Sequence, residues 1–257
     1  KVYKILFDAA WSTMSTFGQT EGLQLGMIAI LHTWGQNLSL HPHLHCIVPG
    51  GGIQSNKKWK RKIKSDKYLF SVKALSKVFR AKYVAFLRKE KLGDIQLFDS
   101  LFQSNWVVYA KRPFGGPKQV IEYLGRYTHK VAISNHRLKN VTATQVTFQY
   151  KDYRNNGQNK QMVLPNHEFI RRFSLHILPK RFVRIRHYGI LSSSWKRGKL
   201  QDLQKQLKVK RKESKPKTKH RLCYCCKEGN LITLALFGDR GPPKTYLFKS
   251  ESKSPIN

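Results

Sequence analysis

The first twenty positions carry Val2, Ile5, Leu6, Ala9, Ala10 and Thr13 at helical spacing, which predicts an amphipathic helix over residues 2–16. Residues 24–34 are largely apolar and read as a strand ending at His32-Thr33-Trp34, and residues 43–49 read as a second strand. The short join at 35–42 makes the two an antiparallel pair. Lys57–Ile63 reads as an edge strand whose lysines guard it against further pairing. Val72, Leu75, Val78, Phe79, Tyr83, Phe86 and Leu87 mark a helix over 72–91, and Trp106–Ala110 reads as a strand. Gly115-Gly116-Pro117 has the form of a helix start, with the proline in the first turn, so a helix is expected over about 117–129. Beyond it, Val131–Ser134, Thr142–Tyr150 and Gln161–Leu164 read as strands, the last two joined by an Asn155-Asn156-Gly157 turn. A helix at 166–178 and a strand at Phe182–Arg186 complete the pattern, and no internal repeat is visible. This order predicts an α+β fold, a central antiparallel sheet with helices on one face.

Charge changes the picture more than hydropathy does. The chain has 257 residues, 40% of them hydrophobic, which is enough for one substantial core and an appendage. Lys and Arg number 49 against 14 acidic residues, a net charge of +35 that exceeds what solubility requires and suits a polyanionic partner. No apolar run approaches the ~20 residues of a membrane span, no signal peptide is visible, and no basic helix has a broad apolar face, so a membrane partner is not expected. Three of the four cysteines, Cys223, Cys225 and Cys226, crowd one short stretch, with Cys46 apart. This is not a secreted disulfide framework, and a reducing cytoplasm is expected. After Gly189 the composition shifts. Lys196 to Arg221 holds twelve Lys or Arg against two acidic residues, and with Pro216 reads as a weakly ordered basic arm, either solvated or gripping a backbone. The expected organisation is a folded domain over 1–190 and a basic C-terminal extension over 191–257 with the Cys cluster. Cys223 and Cys226 have zinc-type spacing, and His220 is a third candidate, so a structural zinc ion is an open alternative. The first residue is Lys1, and Met14 falls inside the first helical pattern, so the chain is expected to be a fragment.

Candidate chemistry concentrates at His43-Leu44-His45. Side chains alternate across a strand, so His43 and His45 share one face while Leu44 and Cys46 point to the other, with Leu44, Ile47 and Val48 expected to anchor the core side. Two adjacent imidazoles can offer neutral nitrogens to one metal ion. Pairing of the two strands brings His32 close to them on the same face as third ligand; Gln36, His41 and Glu122 are alternatives. Pro49 and the glycines at 50–52 are expected to leave the strand in a turn. Tyr123 and Tyr127 lie four apart on one helical face, and beside a metal site two phenols have the form of a pair of nucleophiles.

These residues sit in four blocks: His32-Thr33-Trp34-Gly35; His41-Pro42-His43-Leu44-His45-Cys46-Ile47-Val48-Pro49-Gly50-Gly51-Gly52; Glu122-Tyr123-Leu124-Gly125-Arg126-Tyr127-Thr128 with Val131-Ala132-Ile133-Ser134-Asn135; and Phe182-Val183-Arg184-Ile185-Arg186-His187-Tyr188-Gly189. In order and content they resemble the two-tyrosine HUH transposases of rolling-circle bacterial insertion sequences, HUH denoting His–hydrophobic–His. The resemblance covers about residues 25–190. It implies a central sheet carrying the metal site and a helix carrying the tyrosines. It also implies a divalent ion, Mg²⁺ or Mn²⁺, although imidazoles alone suit softer metals. The implied reaction is cleavage and strand transfer of single-stranded DNA through a covalent 5′-phosphotyrosine, with Tyr123 and Tyr127 as nucleophiles. The implied location is a bacterial cytoplasm, on DNA. Members usually carry a Cys-rich zinc-binding segment upstream of these blocks. Backbone contacts are expected from Arg126, Lys130, Arg137, Arg184 and Arg186, with Arg171, Arg172, Lys180 and Arg181 as further candidates. Trp34, Trp59, Tyr188 and Trp195 are candidate stacking platforms, core packing being the better expectation for each single ring. Two readings stay open beside it: an HUH replication initiator or relaxase, and a non-catalytic basic nucleic-acid-binding protein.

The charge makes one prediction by itself. Binding to random single-stranded oligonucleotides should weaken steeply between low and physiological salt, because many phosphates are neutralised. Deleting residues 196–257 should flatten the slope of log affinity against log salt. An unchanged slope would show that the basic tail is only solvated.

Overall fold

The computed structural model describes residues 1–62, 68–128, 131–209, 221–223 and 225–231. The chain divides into two compact units, Lys1–Val209 and Lys210–Asn257. Within the first, α1 (Val2–Thr20) leads into β1 (Gly26–Trp34), β2 (Leu40–Ile47), β3 (Gly51–Ile53), β4 (Trp59–Arg61), α2 (Val72–Lys89), α3 (Ile95–Gln103) and α4 (Pro117–Thr128). Then come β5 (Leu138–Val141), β6 (Gln145–Asp152), β7 (Gln158–Pro165), α5 (Asn166–Ser174), β8 (Ile185–Gly189), α6 (Ser193–Lys196) and α7 (Lys199–Gln206). The fold is α+β with antiparallel pairing, as the sequence pattern predicts.

The central sheet has the order β2-β1-β8. Its long strand, β1, is almost wholly buried because both faces are covered. On one face Met27, Ala29 and Leu31 meet Phe7 of α1, with Leu44, Val48, Leu178 and Phe182 packed around them. Each fully buried side chain of this kind contributes on the order of 1.5–3 kcal/mol. The other face carries the histidines and lies under α4, so helices flank the sheet on both sides rather than on the single face expected. Ile47 also departs from expectation: it pairs with Ile28 on the histidine face, while Leu44 and Val48 join the core.

Gly51 and Gly52 are not in a turn. They form buried strand β3, paired with β4, and a Cβ at Gly51 would stand 2.3 Å from the Lys60 carbonyl oxygen. At the far end of the sheet Gly189 has φ of +55°, and a Cβ there would fall 2.0 Å from the Leu25 carbonyl oxygen. Only glycine fits that crossing. A second sheet, β5-β6-β7, packs Phe148 and Leu164 against Leu38, Ala132 and Ile133, with Phe169 of α5 at the margin. Its β6–β7 turn carries Asn156 and Gly157 at positive φ, the conformations that Asn and Gly adopt most readily.

Three expectations fail because a short apolar run does not by itself specify backbone pairing. Trp106–Ala110 is not a strand. Trp106 packs on Phe79 and Tyr83, and its indole N–H donates to the Leu101 carbonyl at 3.0 Å. Val131–Ser134 is irregular, with Ala132 and Ile133 buried, and the strand begins at Leu138. The final strand is Ile185–Gly189 rather than 182–186. Helix α3 was not expected, although Asp94 gives a capping signal, its carboxylate accepting from the Leu97 N–H at 2.8 Å.

Helices α6 and α7 lie in the stretch read as the basic C-terminal extension, and Leu203 of α7 is buried with Ile53 and Ile190. In the second unit β9 (Arg221–Leu222) pairs with β10 (Asn230–Leu231) across a turn holding the three cysteines. There the Gly229 N–H donates to Cys226 Sγ at 3.3 Å. Residues 210–220, including His220, and residues 232–257 lie outside the described residues, as do Ile63 and Lys130.

Phe148 is fully buried at the centre of the second sheet's core. Phe148→Ala should cost about 3–5 kcal/mol in denaturant unfolding, by cavity formation. A loss below about 1 kcal/mol would mean that this core is far looser than its burial indicates.

Candidate metal centre and tyrosine helix

The site begins with register. In the β1–β2 ladder His32 stands opposite His43, and Ile30 opposite His45. Directly opposed residues in an antiparallel pair point to the same face, so all three imidazoles rise from one side of the sheet. The connecting loop holds this register: the Gly35 N–H donates to the Ser39 carbonyl at 2.9 Å, and Leu38, at positive φ, is buried as a plug. The ring centroids of His32 and His45 are 4.5 Å apart, those of His43 and His45 4.9 Å, and those of His32 and His43 5.6 Å. One ligand atom from each ring falls within 4.8 Å of the others, so the three could hold a single metal ion. They are the only such group of three or more among the described residues. Of the alternative third ligands, His41 and Glu122 are exposed and Gln36 lies in the β1–β2 loop; none joins the group.

Second contacts orient the rings. His43 Nδ1–H donates to the His41 carbonyl at 2.7 Å, so in the neutral ring Nε2 carries the lone pair. His45 Nδ1 is 3.2 Å from the Tyr123 hydroxyl. His32, only 3% exposed, donates Nε2–H to the Tyr127 carbonyl at 2.9 Å, which makes Nδ1 its lone-pair nitrogen. Such outer contacts fix tautomer and orientation, as metal-binding histidines require. Trp34 stacks on His32 at 4.7 Å and 16°, leaving that imidazole little freedom to tilt. Behind Trp34, buried His176 accepts at Nδ1 from the Thr33 hydroxyl and donates Nε2–H to the Leu38 carbonyl, both at 3.2 Å. Burial lowers its pKa. The sequence reading passed over His176.

Helix α4 brings both tyrosines over the histidines. The Tyr127 ring lies 4.0 Å from the His45 ring, and Tyr123 lies 4.4 Å from Tyr127, with Phe114 against its outer side at 5.3 Å. Burial, with Tyr127 and Cys46 nearby, pushes the Tyr123 phenol up to about 12. The Tyr123 oxygen can accept from a His45 Nδ1–H, the tautomer that leaves Nε2 with a lone pair for an ion.

The cations expected on DNA have different surroundings. Arg126 is exposed on α4. Arg184 lies beside the site and donates to the Thr128 carbonyl. Arg137 is turned inward, donating to the carbonyls of Gln149, Ala132 and Gln36, and burial lowers its pKa. Arg186 lies over the Phe7 ring at 4.2 Å, on the α1 side of the sheet. Arg171 and Arg172 both bind Glu168, which holds that carboxyl at about 2. The four candidate stacking rings pack internally, Trp34 on His32, Tyr188 on Trp11, and Trp59 and Trp195 against the cluster of Ile53 and Ile190.

A family model described as "Putative transposase" matches residues 26–199, the span containing the three histidines and both tyrosines. The protein described as "Putative transposase y4qJ", from Sinorhizobium fredii, is 38% identical over an alignment of 281 residues that covers 95% of this chain and 70% of its own length. The "Transposase for insertion sequence element IS801", from Pseudomonas savastanoi pv. phaseolicola, is 26% identical over 205 residues; these cover 73% of this chain and about half, 48%, of that protein. No solved structure matches.

If the three imidazoles form one site, Mn²⁺ titration should show one ion per chain. His43→Ala, His45→Ala and His32→Ala should each weaken binding by at least about 10-fold, with the folded-state circular dichroism unchanged. Unchanged affinity in His32→Ala would move the third-ligand role elsewhere.

Proposed function

The chain belongs to this family of transposases, and on that premise we propose that it cleaves and rejoins single-stranded DNA through a covalent 5′-phosphotyrosine. The observation that carries the reading is the convergence of two phenols on three co-facial imidazoles, with Tyr127 4.0 Å from His45 and Tyr123 hydrogen-bonded to it.

His32, His43 and His45 would hold a divalent ion, Mg²⁺ or Mn²⁺ by resemblance to relatives with this motif. When bound, it would supply positive charge to polarise the scissile phosphate and favour the phenolate. The residues of the chain do the rest. The phenolate oxygen of one tyrosine attacks phosphorus, a tyrosine O–P bond forms, and the bond from phosphorus to the 3′ oxygen breaks. The departing oxygen takes a proton and leaves as a 3′ hydroxyl, while the 5′ phosphate stays on the enzyme. The new ester keeps the energy of the phosphodiester, so a later attack by a 3′ hydroxyl rejoins strands without a nucleotide cofactor. Two phenols 4.4 Å apart allow one to hold a DNA end while the other cuts again. Arg126, exposed on the same helix, is suited to a backbone phosphate, and Lys130 would follow it in the chain. The excess of basic residues supplies nonspecific affinity for the strand.

Single-stranded oligonucleotides incubated with Mg²⁺ or Mn²⁺ should yield a protein–DNA adduct stable to denaturant. Tyr123→Phe with Tyr127→Phe should abolish it, because the rings remain and only the nucleophilic oxygens go. Each single variant should retain some cleavage but lose transposition in cells. Transposition at the parental rate by either single variant would refute a two-nucleophile mechanism.

A further inference from the structure

Helix α4 has no buried residue, and Ile121 on it is 68% exposed. A helix so little buried gains little hydrophobic hold on the body it lies against. Its tyrosines must nevertheless keep their place over the histidines. The last carbonyls of any helix lack partners within the helix, and here two successive ones are taken by the sheet. The Tyr127 carbonyl accepts from His32, on β1, at 2.9 Å. The Thr128 carbonyl accepts from the Arg184 guanidinium. Arg184 is itself tied to the same strand, its own carbonyl accepting from the Leu31 N–H at 3.0 Å. Neighbouring residues of β1, Leu31 and His32, thus fasten both ends of the connection. The guanidinium also lies at the negative end of the helix dipole, where a cation is stabilising.

We infer that Arg184 is a positioning residue, which together with His32 bolts the last turn of the tyrosine helix to the metal-site strand, rather than a contact to the DNA backbone. The catalytic part of this inference rests on the proposed transesterification; the anchoring part does not. His32 would serve two elements at once, turning its Nδ1 toward the ion site and its Nε2–H toward the helix. Lost anchoring would let the phenols drift while the basic surface stayed whole. A displacement near 1 Å costs on the order of 100-fold in a positioned reaction.

The test compares the parent with Arg184→Gln and Arg184→Lys in four measurements: amide hydrogen exchange across α4, Mn²⁺ titration, oligonucleotide affinity against salt, and adduct formation at saturating oligonucleotide. Arg184→Gln should raise exchange in residues 124–128 with β1 unchanged. It should slow adduct formation by about 100-fold and leave oligonucleotide affinity and its salt slope as they were. Arg184→Lys, which keeps one donor and the charge, should recover part of the exchange protection and part of the rate. It also keeps the test decisive if the Gln variant fails to fold. Exchange that does not change in either variant would overturn the inference. So would weaker binding with a salt slope reduced by about 1 at an undiminished rate, the signature of a lost phosphate contact. If the parent itself forms no adduct, the transesterification reading fails, and the exchange measurement still decides whether Arg184 is the anchor.

Discussion

Everything at this site depends on the register of one antiparallel ladder. His32 opposite His43, with His45 two positions on, requires that β1 and β2 pair as they do and not one residue displaced. A slip by one would turn both β2 histidines toward α1 and bring Leu44 to the site. What forbids the slip is on the other face, where Met27, Ala29 and Leu31 are fully buried against Phe7. Exchanging Leu44 and Val48 for imidazoles on that face would strip the core of part of its burial and leave polar rings in an apolar layer, a double penalty. The face that carries the three histidines is thus specified by the packing of the opposite face.

The tyrosine helix obeys a different economy. It is fastened by rings on rings and by hydrogen bonds to its last carbonyls, not by a buried stripe. That suits an element whose phenols, in the proposed reaction, reach a strand of DNA, since a deeply packed helix would hide them. It also means that polar side chains nearby have structural duties. Arg184 and Arg137 are engaged with backbone carbonyls, and Arg171 and Arg172 with Glu168. Even in a chain with 49 basic residues, a given arginine can be holding the fold.

The sequence alone determined the pattern that alternation and spacing can express. His43 and His45 had to share a face because strands alternate, Tyr123 and Tyr127 because helices turn every 3.6 residues, and the joining loop made β1 the natural partner of β2. The net charge named a polyanion as the class of partner, and the ordered blocks named the family that the comparisons also give. Tertiary structure decided what spacing cannot express. It put α4 across the sheet from α1 and turned the Tyr127 carbonyl toward His32. It laid Trp34 on His32 rather than toward a base, and drew Arg137 and Arg186 inward. It left the runs read as strands at Trp106–Ala110 and Val131–Ser134 without strand pairing. The reason is the same in each case: a side chain's partner is chosen by whichever distant segment reaches it first with a matching surface, and local sequence holds no record of that meeting.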